Sequence, residues 1–316
     1  MKEPKIIEGK NILVTGGAGF IGSHIIDLLK TNNKIVVLDN LSAGRKENIP
    51  GIILIHKSVS EIQESDVKNF DFVIHCAAQV STFLSVDYPH EDFSSNCLGT
   101  FKLYEACRKW NDDALIVYTS SRSVLGEITT PKIADETFPY NPSTFYNVHK
   151  IYGENLCKIY SGLYGMKFVI IRPSNVYGPR QPYWKMGWYN FISFWVKLAL
   201  ENKPIPIYGT GEQIRDYTYV LDTARAFVLS LTNKKAIGEA FLLPTNRGVS
   251  LNELARKIIE LSKSKSKIEY FPPRKGDIQR FVGSYEKAKS ILGWNPEVSL
   301  EEGLKKEIEW VRSEIG

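Results

Sequence analysis

Tyr146 and Lys150 are four residues apart in FYNVHKIYGEN, residues 145–155, a segment with the pattern of a helix. Four residues correspond to about one helical turn, so both side chains lie on one face and can act on one bound molecule. A tyrosine with its ordinary pKa of about 10 is a poor base at neutral pH, and a nearby ammonium group stabilises the phenolate. The spacing therefore predicts a site where Tyr146 transfers a proton and Lys150 assists it.

A hydroxyl group that could position an alcohol beside this pair lies in VYTSSRSVLGE, residues 117–127. The segment follows a predicted central strand, and ligands bind at the carboxyl ends of the strands in parallel sheets. A serine or threonine of this segment is therefore the third candidate group of the site.

A glycine-rich turn, TGGAGFIG at residues 15–22, joins the first predicted strand to the first predicted helix. Its Gly16, Gly19 and Gly22 have the spacing for a tight turn, a close approach to a pyrophosphate, and packing of helix on strand. Asp39 ends the second predicted strand, where a carboxylate accepts hydrogen bonds from an adenosine ribose and repels a 2′-phosphate. The combination predicts NAD rather than NADP, with the neighbouring Arg45 as the group that could instead hold a 2′-phosphate.

The order of the predicted elements indicates an α/β protein. Near-continuous apolar strands alternate with helical patterns, which is typical of a parallel sheet covered on both faces. The predicted strands are 11–15, 34–39, 51–55, 71–77, 114–120, 167–172 and 205–209, and the predicted helices are 20–31, 93–110, 144–164, 188–202, 221–232, 250–263, 284–292 and 299–313. We predict a doubly wound, Rossmann-type parallel sheet followed by a smaller α/β C-terminal lobe that binds the substrate.

A change of composition after residue 172, to a stretch rich in proline, glycine and aromatic residues, marks the predicted domain boundary. We predict an NAD-binding domain at residues 1–172 and a substrate-binding lobe at 173–316. The segment at about 217–243 is expected to return to the first domain. The cleft between the two parts would lie over the carboxyl ends of the parallel strands.

Composition and charge exclude several classes of function. The 316 residues carry a net charge of +5 that is spread along the chain, and a nucleic-acid-binding protein would usually show a basic stripe. The most apolar stretch, residues 191–200, is too short to cross a bilayer, and the N-terminus lacks the apolar core of a signal peptide. The four cysteines form no CxxC pair. Neither His75 nor His149 has further metal-ligand residues near it in the sequence at a suitable spacing. His149 is expected on a solvated helix face. We expect a cytoplasmic protein that binds neither nucleic acid, nor membrane, nor metal.

Several segments in order carry a resemblance to a known family. The chain resembles the extended short-chain dehydrogenase/reductases of the sugar-nucleotide epimerase and dehydratase group, most closely the UDP-glucose 4-epimerases. The resemblance covers nearly the whole length, and the matching segments are VTGGAGFIG, VLDNLSAG, HCAAQ, NCLGT, YTSSRSV.G, YNVHK, RPSNVYGPRQ, IYGTGEQIRDYTYV and PPRKGD…KAKSILGWNP.

The resemblance implies NAD-dependent C4 epimerisation of UDP-glucose and UDP-galactose through a 4-keto intermediate. Tyr146 would be the base, Lys150 its electrostatic partner, and Ser121 the hydroxyl that helps to bind the reacting 4-OH. Because the cofactor is regenerated in each cycle, NAD should stay tightly bound. The resemblance also suggests a homodimer that forms through the helices near 93–110 and 144–164.

Further site residues follow from the same resemblance. It assigns contacts with NAD to Phe20, Ile21, Asn40, Ser42, Gly44, Ser58, Val59, Cys76, Ala77, Ala78, Gln79, Asn96, Thr119 and Pro173, besides the glycines of the turn, Asp39, Tyr146 and Lys150. It assigns contacts with the UDP-sugar to Ser81, Ser121, Arg122, Tyr146, Asn175, Tyr208, Arg215, Arg274, Asp277 and Phe281. Among these, Asn175, Arg215 and Arg274 would bind the diphosphate, Asp277 the uridine ribose and Tyr208 the uracil.

The chain departs from the family pattern at four positions. Ser58 stands where an aspartate usually binds the adenine amino group, and Arg122 and Leu125 replace a small residue and a tyrosine. On an extended chain, Arg122 and the preceding Ser121 would point to opposite faces, which favours a supporting role for Arg122. A contact with a sugar carboxylate is the alternative and would indicate UDP-glucuronate. Phe281 falls where the family leaves room for a 2-N-acetyl group, so we expect a preference for glucose and galactose.

Other functions remain as alternatives. A UDP-glucuronate 4-epimerase or a nucleotide 4-keto-sugar reductase would use the same Ser, Tyr and Lys set, although Asp39 argues against NADPH-dependent reduction. The dehydratases require an Asp-Glu pair directly after the hydroxyl position, where this chain has Arg122 and Ser123, and the decarboxylases usually carry the Glu. A catalytically inactive protein that senses NAD is the alternative that is not an enzyme.

Overall fold

The computed structural model describes residues 7–128, 132–183, 191–274 and 277–316. Its strands are short and rich in branched apolar residues. They are β1 (Asn11–Thr15), β2 (Lys34–Asp39), β3 (Ile53–His56), β4 (Phe72–His75), β5 (Leu115–Thr119), β6 (Lys167–Pro173), β7 (Asn175–Tyr177), β8 (Ile205–Tyr208), β9 (Ile214–Tyr219), β10 (Ala240–Leu243), β11 (Gly248–Ser250) and β12 (Ile268–Phe271).

The helices lie mainly between these strands. They are α1 (Phe20–Leu29), α2 (Leu84–Asp87), α3 (Pro89–Phe93), α4 (Gly99–Trp110), α5 (Phe145–Tyr164), α6 (Phe191–Leu200), α7 (Val220–Thr232), α8 (Leu251–Leu261), α9 (Glu286–Leu292) and α10 (Leu300–Ile315). A π-helical turn, Ser94–Leu98, joins α3 to α4. The first three positions of the helix predicted at 188–202 lie outside the described residues.

The central sheet, as far as the described residues form it, has seven strands in the order β10-β6-β5-β4-β1-β2-β3. Every neighbouring pair is parallel. The order reverses beside β1, between β2 on one side and β4 on the other, and such a switch point is where open parallel sheets bind ligands. The predicted doubly wound fold is therefore confirmed.

Two apolar layers cover the sheet. The strand residues Ile12 and Val14 pack with α1 and α7 on one face, and Leu13 packs with α4 and α5 on the other. This alternation explains why β1 is apolar at consecutive positions, since both faces of a parallel sheet are buried.

The C-terminal part of the chain forms a second, smaller core. Its sheets are β11-β9-β7 and β12-β8, and residues of α6, α8 and α10 pack against them. β10 pairs with β6 of the central sheet instead. The division into 1–172 and 173–316, with 217–243 returning, stays a prediction.

Helix α5 begins and ends where its sequence supplies caps. The Thr144 side chain accepts a hydrogen bond from the backbone N–H of Asn147, and Gly165 ends the helix with a φ of 70°. Such a left-handed residue after a helix is usually glycine, because it has no Cβ to clash. Among the described helices, none combines the length and the apolar character needed to cross a bilayer.

Candidate active site

A cleft of about 1120 Å³ lies at the carboxyl ends of the central strands, between the two cores. Most of the residues predicted to bind cofactor or substrate form its wall. These are Gly16, Gly19, Phe20, Ile21, Gly22, Asp39, Asn40, Ser42, Gly44, Ser58, Val59, Cys76, Ala77, Ala78, Gln79, Thr119, Ser121, Arg122, Tyr146, Lys150, Pro173, Asn175, Tyr208, Arg215, Arg274 and Asp277.

The glycine turn forms one end of the cleft. Gly16 has a φ of 69°, and a Cβ at this position would lie 2.5 Å from the Ala77 backbone nitrogen. A Cβ at Gly22 would lie 2.5 Å from the carbonyl oxygen of Gly16. No larger residue fits at either position without a backbone shift, so the turn stays open for a pyrophosphate at the start of α1. The cradle fits a dinucleotide.

Asp39 lies at the end of β2 beside the glycine turn. Its carboxylate accepts hydrogen bonds from the backbone nitrogens of Ala18, at 3.0 Å, and Leu41, at 2.7 Å. Burial raises the pKa of Asp39, and these two hydrogen bonds act against that shift. The carboxylate is thereby fixed at the position expected to face the adenosine ribose.

Arg45, the residue that could have held a 2′-phosphate, forms an ion pair with Glu314 near the C-terminus, at 2.7 Å. Ser58 lines the cleft, but its hydroxyl accepts a hydrogen bond from the Ser60 backbone and caps a short 3₁₀ turn. The ion pair of Arg45 agrees with NAD as the cofactor, and the Ser58 hydroxyl has a local role in the backbone.

Ser121, Tyr146 and Lys150 meet at the middle of the cleft. The Ser121 oxygen accepts hydrogen bonds from the Ser123 backbone, at 3.1 Å, and from the Ser123 hydroxyl, at 2.8 Å. Its own hydrogen is then free for the Tyr146 phenol, to which Ser121 is hydrogen bonded. Lys150 donates to the Thr119 carbonyl at 2.9 Å, and its Nζ lies 5.8 Å from the centre of the Tyr146 ring.

The pKa values of this set show opposing influences. Burial raises the pKa of Tyr146, while the Ser121 hydrogen bond and the charge of Arg122 act to lower it. Burial also lowers the pKa of Lys150 to about 8. The Ser121 hydrogen bond and the Arg122 charge are thus the influences that favour the phenolate here, and the predicted stabilisation of the phenolate by Lys150 stays a prediction.

Arg122 does not point away from Ser121, as the extended-chain prediction required. That prediction was wrong because a 3₁₀ turn begins at Arg122 and continues to Leu125, so the two-residue alternation of a strand does not apply. Arg122 Nη2 donates to the side-chain oxygen of Asn175 at 3.4 Å. Burial and the nearby charge of Arg215 lower the pKa of Arg122 to about 9.

Three of the predicted contact residues are not on the cleft wall formed by the described residues. Phe281 is fully buried and packs with Val124, Leu125 and Leu242, because a large apolar side chain gains more from this core than from a polar cleft. Phe281 therefore gives no basis for excluding a 2-N-acetyl group.

The other two support the segment around Gln79. Asn96 accepts from the Gln79 backbone nitrogen at 3.1 Å and donates to its carbonyl at 2.9 Å. The buried Ser81 hydroxyl accepts from the Leu84 backbone at 3.0 Å. Both side chains thus bond to the backbone behind the cleft wall, and the π-helical turn places Asn96 where it holds the Gln79 segment.

Asp92 is a candidate site residue that the sequence prediction missed. It is fully buried, accepts from Gln79 and Asn96 at 2.9 Å each, and accepts from His149. Its charge raises the pKa of both Lys150 and Tyr146. His149 was expected on a solvated face, and that expectation was wrong. No local sequence pattern could predict the contact between Asp92 and His149, because 57 residues separate them.

The far end of the cleft contains the residues assigned to the nucleotide. Arg215 forms an ion pair with Asp277 at 2.6 Å, and Asn175 donates to the Asp216 carbonyl at 3.0 Å. The Arg274 guanidinium lies 3.4 Å from the centre of the Tyr208 ring. The structure thus brings together cations for a diphosphate and an aromatic ring for a base. Within the described ranges, no three His, Cys, Asp or Glu side chains cluster closely enough to bind a metal ion.

Comparison with known proteins agrees with this geometry. A model of the family described as "NAD dependent epimerase/dehydratase family" matches residues 12–243. The chain is 35% identical over 315 residues to the UDP-glucose 4-epimerase of Mycolicibacterium smegmatis, covering 95% of this chain and 98% of that protein.

Two solved structures are similar throughout. The UDP-glucose 4-epimerase of Thermotoga maritima with UDP-glucose has a TM-score of 0.91 and 34% identity, covering 97% of this chain and 100% of the other. The UDP-glucuronic acid 4-epimerase of Bacillus cereus with UDP-glucuronic acid and NAD has a TM-score of 0.87 and 29% identity, covering 96% and 99%.

Proposed function

The chain belongs to the NAD-dependent epimerase/dehydratase family, and on that premise we propose that it inverts C4 of a UDP-hexose, interconverting UDP-glucose and UDP-galactose. The observation that carries this proposal is the meeting of Ser121, Tyr146 and Lys150 in one cleft with the glycine turn and Asp39. Relatives named UDP-glucose 4-epimerase support the choice of substrate.

Each residue of the set has a distinct task in the proposed reaction. Ser121 positions the 4-hydroxyl, and Tyr146 takes its proton as C4 is oxidised and returns it when C4 is reduced. Lys150 holds the nicotinamide ribose and adds positive charge near the phenol. NAD, when bound, supplies reversible acceptance of the C4 hydride, so the substrate passes through a 4-keto sugar with no net change of oxidation state.

Binding energy is assigned mainly to the UDP. Arg215, Arg274 and Asn175 would bind the diphosphate, Asp277 the uridine ribose and Tyr208 the uracil. Charge-assisted hydrogen bonds are strong enough to hold the nucleotide while the sugar turns over. Because Arg215 is paired with Asp277 in this structure, we expect nucleotide binding to rearrange that pair.

Elimination of water from the sugar is disfavoured by the residues that follow Ser121. The dehydratases require an acidic pair after the hydroxyl position, and this chain has Arg122 and Ser123 there. A 4-keto-sugar reductase would need an exchangeable cofactor. An inactive NAD-sensing protein would have no use for the set of Ser121, Tyr146 and Lys150.

We also propose that two copies associate through α4 and α5. Apolar side chains on these helices are exposed, among them Phe101 at 41%, Val148 and Ile159 at 49%, and Leu163 at 70%. Val148, Ile159 and Leu163 are 11 and 4 residues apart, which places them on one helix face. A contiguous apolar face of this kind is typical of an association surface.

The experiment that tests the proposed function uses the purified protein without added cofactor. UDP-galactose is supplied, the C4 epimers are separated, and the nucleotide released by denaturation is identified. We expect formation of UDP-glucose and release of NAD. If NAD is released but UDP-galactose is unchanged, the proposed substrate pair is wrong. Activity that depends on added reduced cofactor would favour a reductase.

A further inference from the structure

Arg122 is a charged side chain in the cleft wall that forms no ion pair with any residue of the described ranges. Its guanidinium donates to Asn175 at 3.4 Å, a long distance for a hydrogen bond. The Cζ atom of Arg122 lies 4.8 Å from the centre of the buried Phe281 ring, a cation–π contact. The contact holds the guanidinium at the cleft wall, where its N–H donors can meet a ligand.

No carboxylate among the described residues forms an ion pair with Arg122. Asp277 is the acidic residue that influences it, and its Oδ1 is held by Arg215 at 2.6 Å. Arg172, by contrast, is paired with Glu154 at 2.6 Å inside the protein. A guanidinium that is partly withdrawn from water, next to a second arginine, is costly unless an anion joins it.

The position of Arg122 indicates which part of the substrate that anion belongs to. Arg122 directly follows Ser121, and its charge acts on the Tyr146 phenol. Both neighbours are assigned to the 4-hydroxyl, so the groups on the adjacent carbons C3 and C5 are the next within reach, and of these only the C6 group on C5 can be an anion. A carboxylate at C6 offers two oxygens to the edge of a guanidinium, which is a bidentate match.

We propose that Arg122 binds a C6 carboxylate, so that UDP-linked uronates, UDP-glucuronate and UDP-galacturonate, are preferred over UDP-glucose and UDP-galactose. This inference rests on the proposed C4 chemistry, which places the sugar beside Ser121 and Tyr146. The other anion within reach is the diphosphate, toward which Asn175 is assigned. Arg215 and Arg274 already serve that end of the cleft, which favours the carboxylate for Arg122.

The test compares kcat/KM for UDP-glucuronate and UDP-galactose in the wild type, Arg122→Gln and Arg122→Lys. Since Arg122 also acts on Tyr146, the decisive quantity is the ratio of the two kcat/KM values within each protein. We expect the wild type to favour UDP-glucuronate and Arg122→Gln to lower that ratio by about 10- to 100-fold. Arg122→Lys should recover part of this ratio, because an ammonium group keeps the positive charge but cannot form the bidentate hydrogen bonds of a guanidinium. The exposed Arg247→Gln serves as the matched control.

Several results would overturn the inference. A wild type that converts UDP-galactose at least as well as UDP-glucuronate contradicts it and leaves the proposed function intact, even if Arg122→Gln fails to fold. A variant that loses affinity for UDP as strongly as for UDP-glucuronate would assign Arg122 to the diphosphate. If neither sugar is converted, the proposed reaction fails, and the affinities of the two sugars are measured by calorimetric titration. Tighter binding of UDP-glucuronate than of UDP-galactose that is lost in Arg122→Gln would support the carboxylate site. Equal affinities would overturn the carboxylate site as well.

Discussion

Tyr146 is the residue to which the proposed reaction assigns the proton transfer, and its surroundings shift its pKa in both directions. Burial and the Asp92 carboxylate favour the neutral phenol, whereas Ser121 and Arg122 favour the phenolate. A residue balanced in this way can accept a proton and return it within one cycle. Lys150, whose pKa is lowered to about 8 by burial, has its Nζ 5.8 Å from the centre of the Tyr146 ring.

Tyr146→Phe removes the proton acceptor while keeping the ring. We expect kcat to fall by about 10²- to 10⁴-fold, with NAD and UDP still bound, since neither contact depends on the phenol oxygen alone. Tyr152→Phe on the same helix is the control, because Tyr152 does not line the cleft. Retention of wild-type kcat in Tyr146→Phe would exclude Tyr146 as the base.

Glu307 on α10 provides a test of pH-dependent stability. It is fully buried, and burial raises its pKa to about 8 from an ordinary 4.5, with the Ser193 hydroxyl donating to it at 2.5 Å. Between these values the folded chain keeps a proton that the unfolded chain loses. The contribution of Glu307 to the free energy of unfolding is therefore fully present below about pH 4.5 and is lost as the pH rises through about 8.

The Gln side chain of Glu307→Gln cannot ionise, so the decrease in the free energy of unfolding that Glu307 causes as the pH rises should disappear. Relative to wild type, we expect the variant to gain about 1–3 kcal/mol between pH 5 and pH 8, measured by urea unfolding. Glu309→Gln, an exposed position on the same helix, should show the wild-type dependence. An unchanged pH dependence in Glu307→Gln would show that Glu307 is not protonated in the folded protein.

At the scale of elements, the glycine turn is the feature with the least room for change. Gly16→Ala places a Cβ 2.5 Å from the Ala77 nitrogen at a φ of 69°, whereas Gly51→Ala, at a φ of 75°, meets nothing within 4 Å. Both variants should lose about 1 kcal/mol from backbone strain. Only Gly16→Ala should also lose NAD, measured as nucleotide released per chain. Equal NAD content in the two variants would contradict the assignment of the turn.

The exposed face of α5 gives a prediction about assembly. Ile159→Glu and Leu163→Glu introduce charge where the side chains are 49% and 70% exposed. If this face joins two copies, sedimentation should show a dimer for the wild type and a monomer for the double variant. Ile53→Glu, at a side chain 66% exposed on β3, should leave the dimer unchanged. A dimer that persists in the double variant would place the interface elsewhere.

The sequence predicted regular elements well and irregular ones poorly. The predicted strands at 11–15 and 34–39 match β1 and β2, because their apolar runs can be buried only inside a parallel sheet. The 3₁₀ turn at Arg122–Leu125 was not predicted, since nothing in its sequence interrupts an extended chain. Its consequence, Arg122 in the cleft, depends on that single local turn.

At the scale of the whole molecule, the site exists because two cores close over one edge of a sheet. Residues proposed to bind the cofactor, such as Asp39, come from the central sheet, and residues proposed to bind the nucleotide of the substrate, such as Arg215, come from β9 of the smaller core. The sequence indicated both groups through ordered motifs. The sequence could not predict the contact of Asp92 with His149 or that of Arg45 with Glu314, because both contacts form only when distant segments of the chain pack together.

The most direct test of the central claim follows the hydrogen at C4. UDP-galactose deuterated at C4 is converted by the purified protein in ordinary water, and the label in the product is located by NMR. Reversible hydride transfer to tightly bound NAD predicts UDP-glucose with deuterium retained at C4 and none in the solvent. Release of the deuterium to water during conversion would show that C4 loses a proton, and would contradict the account.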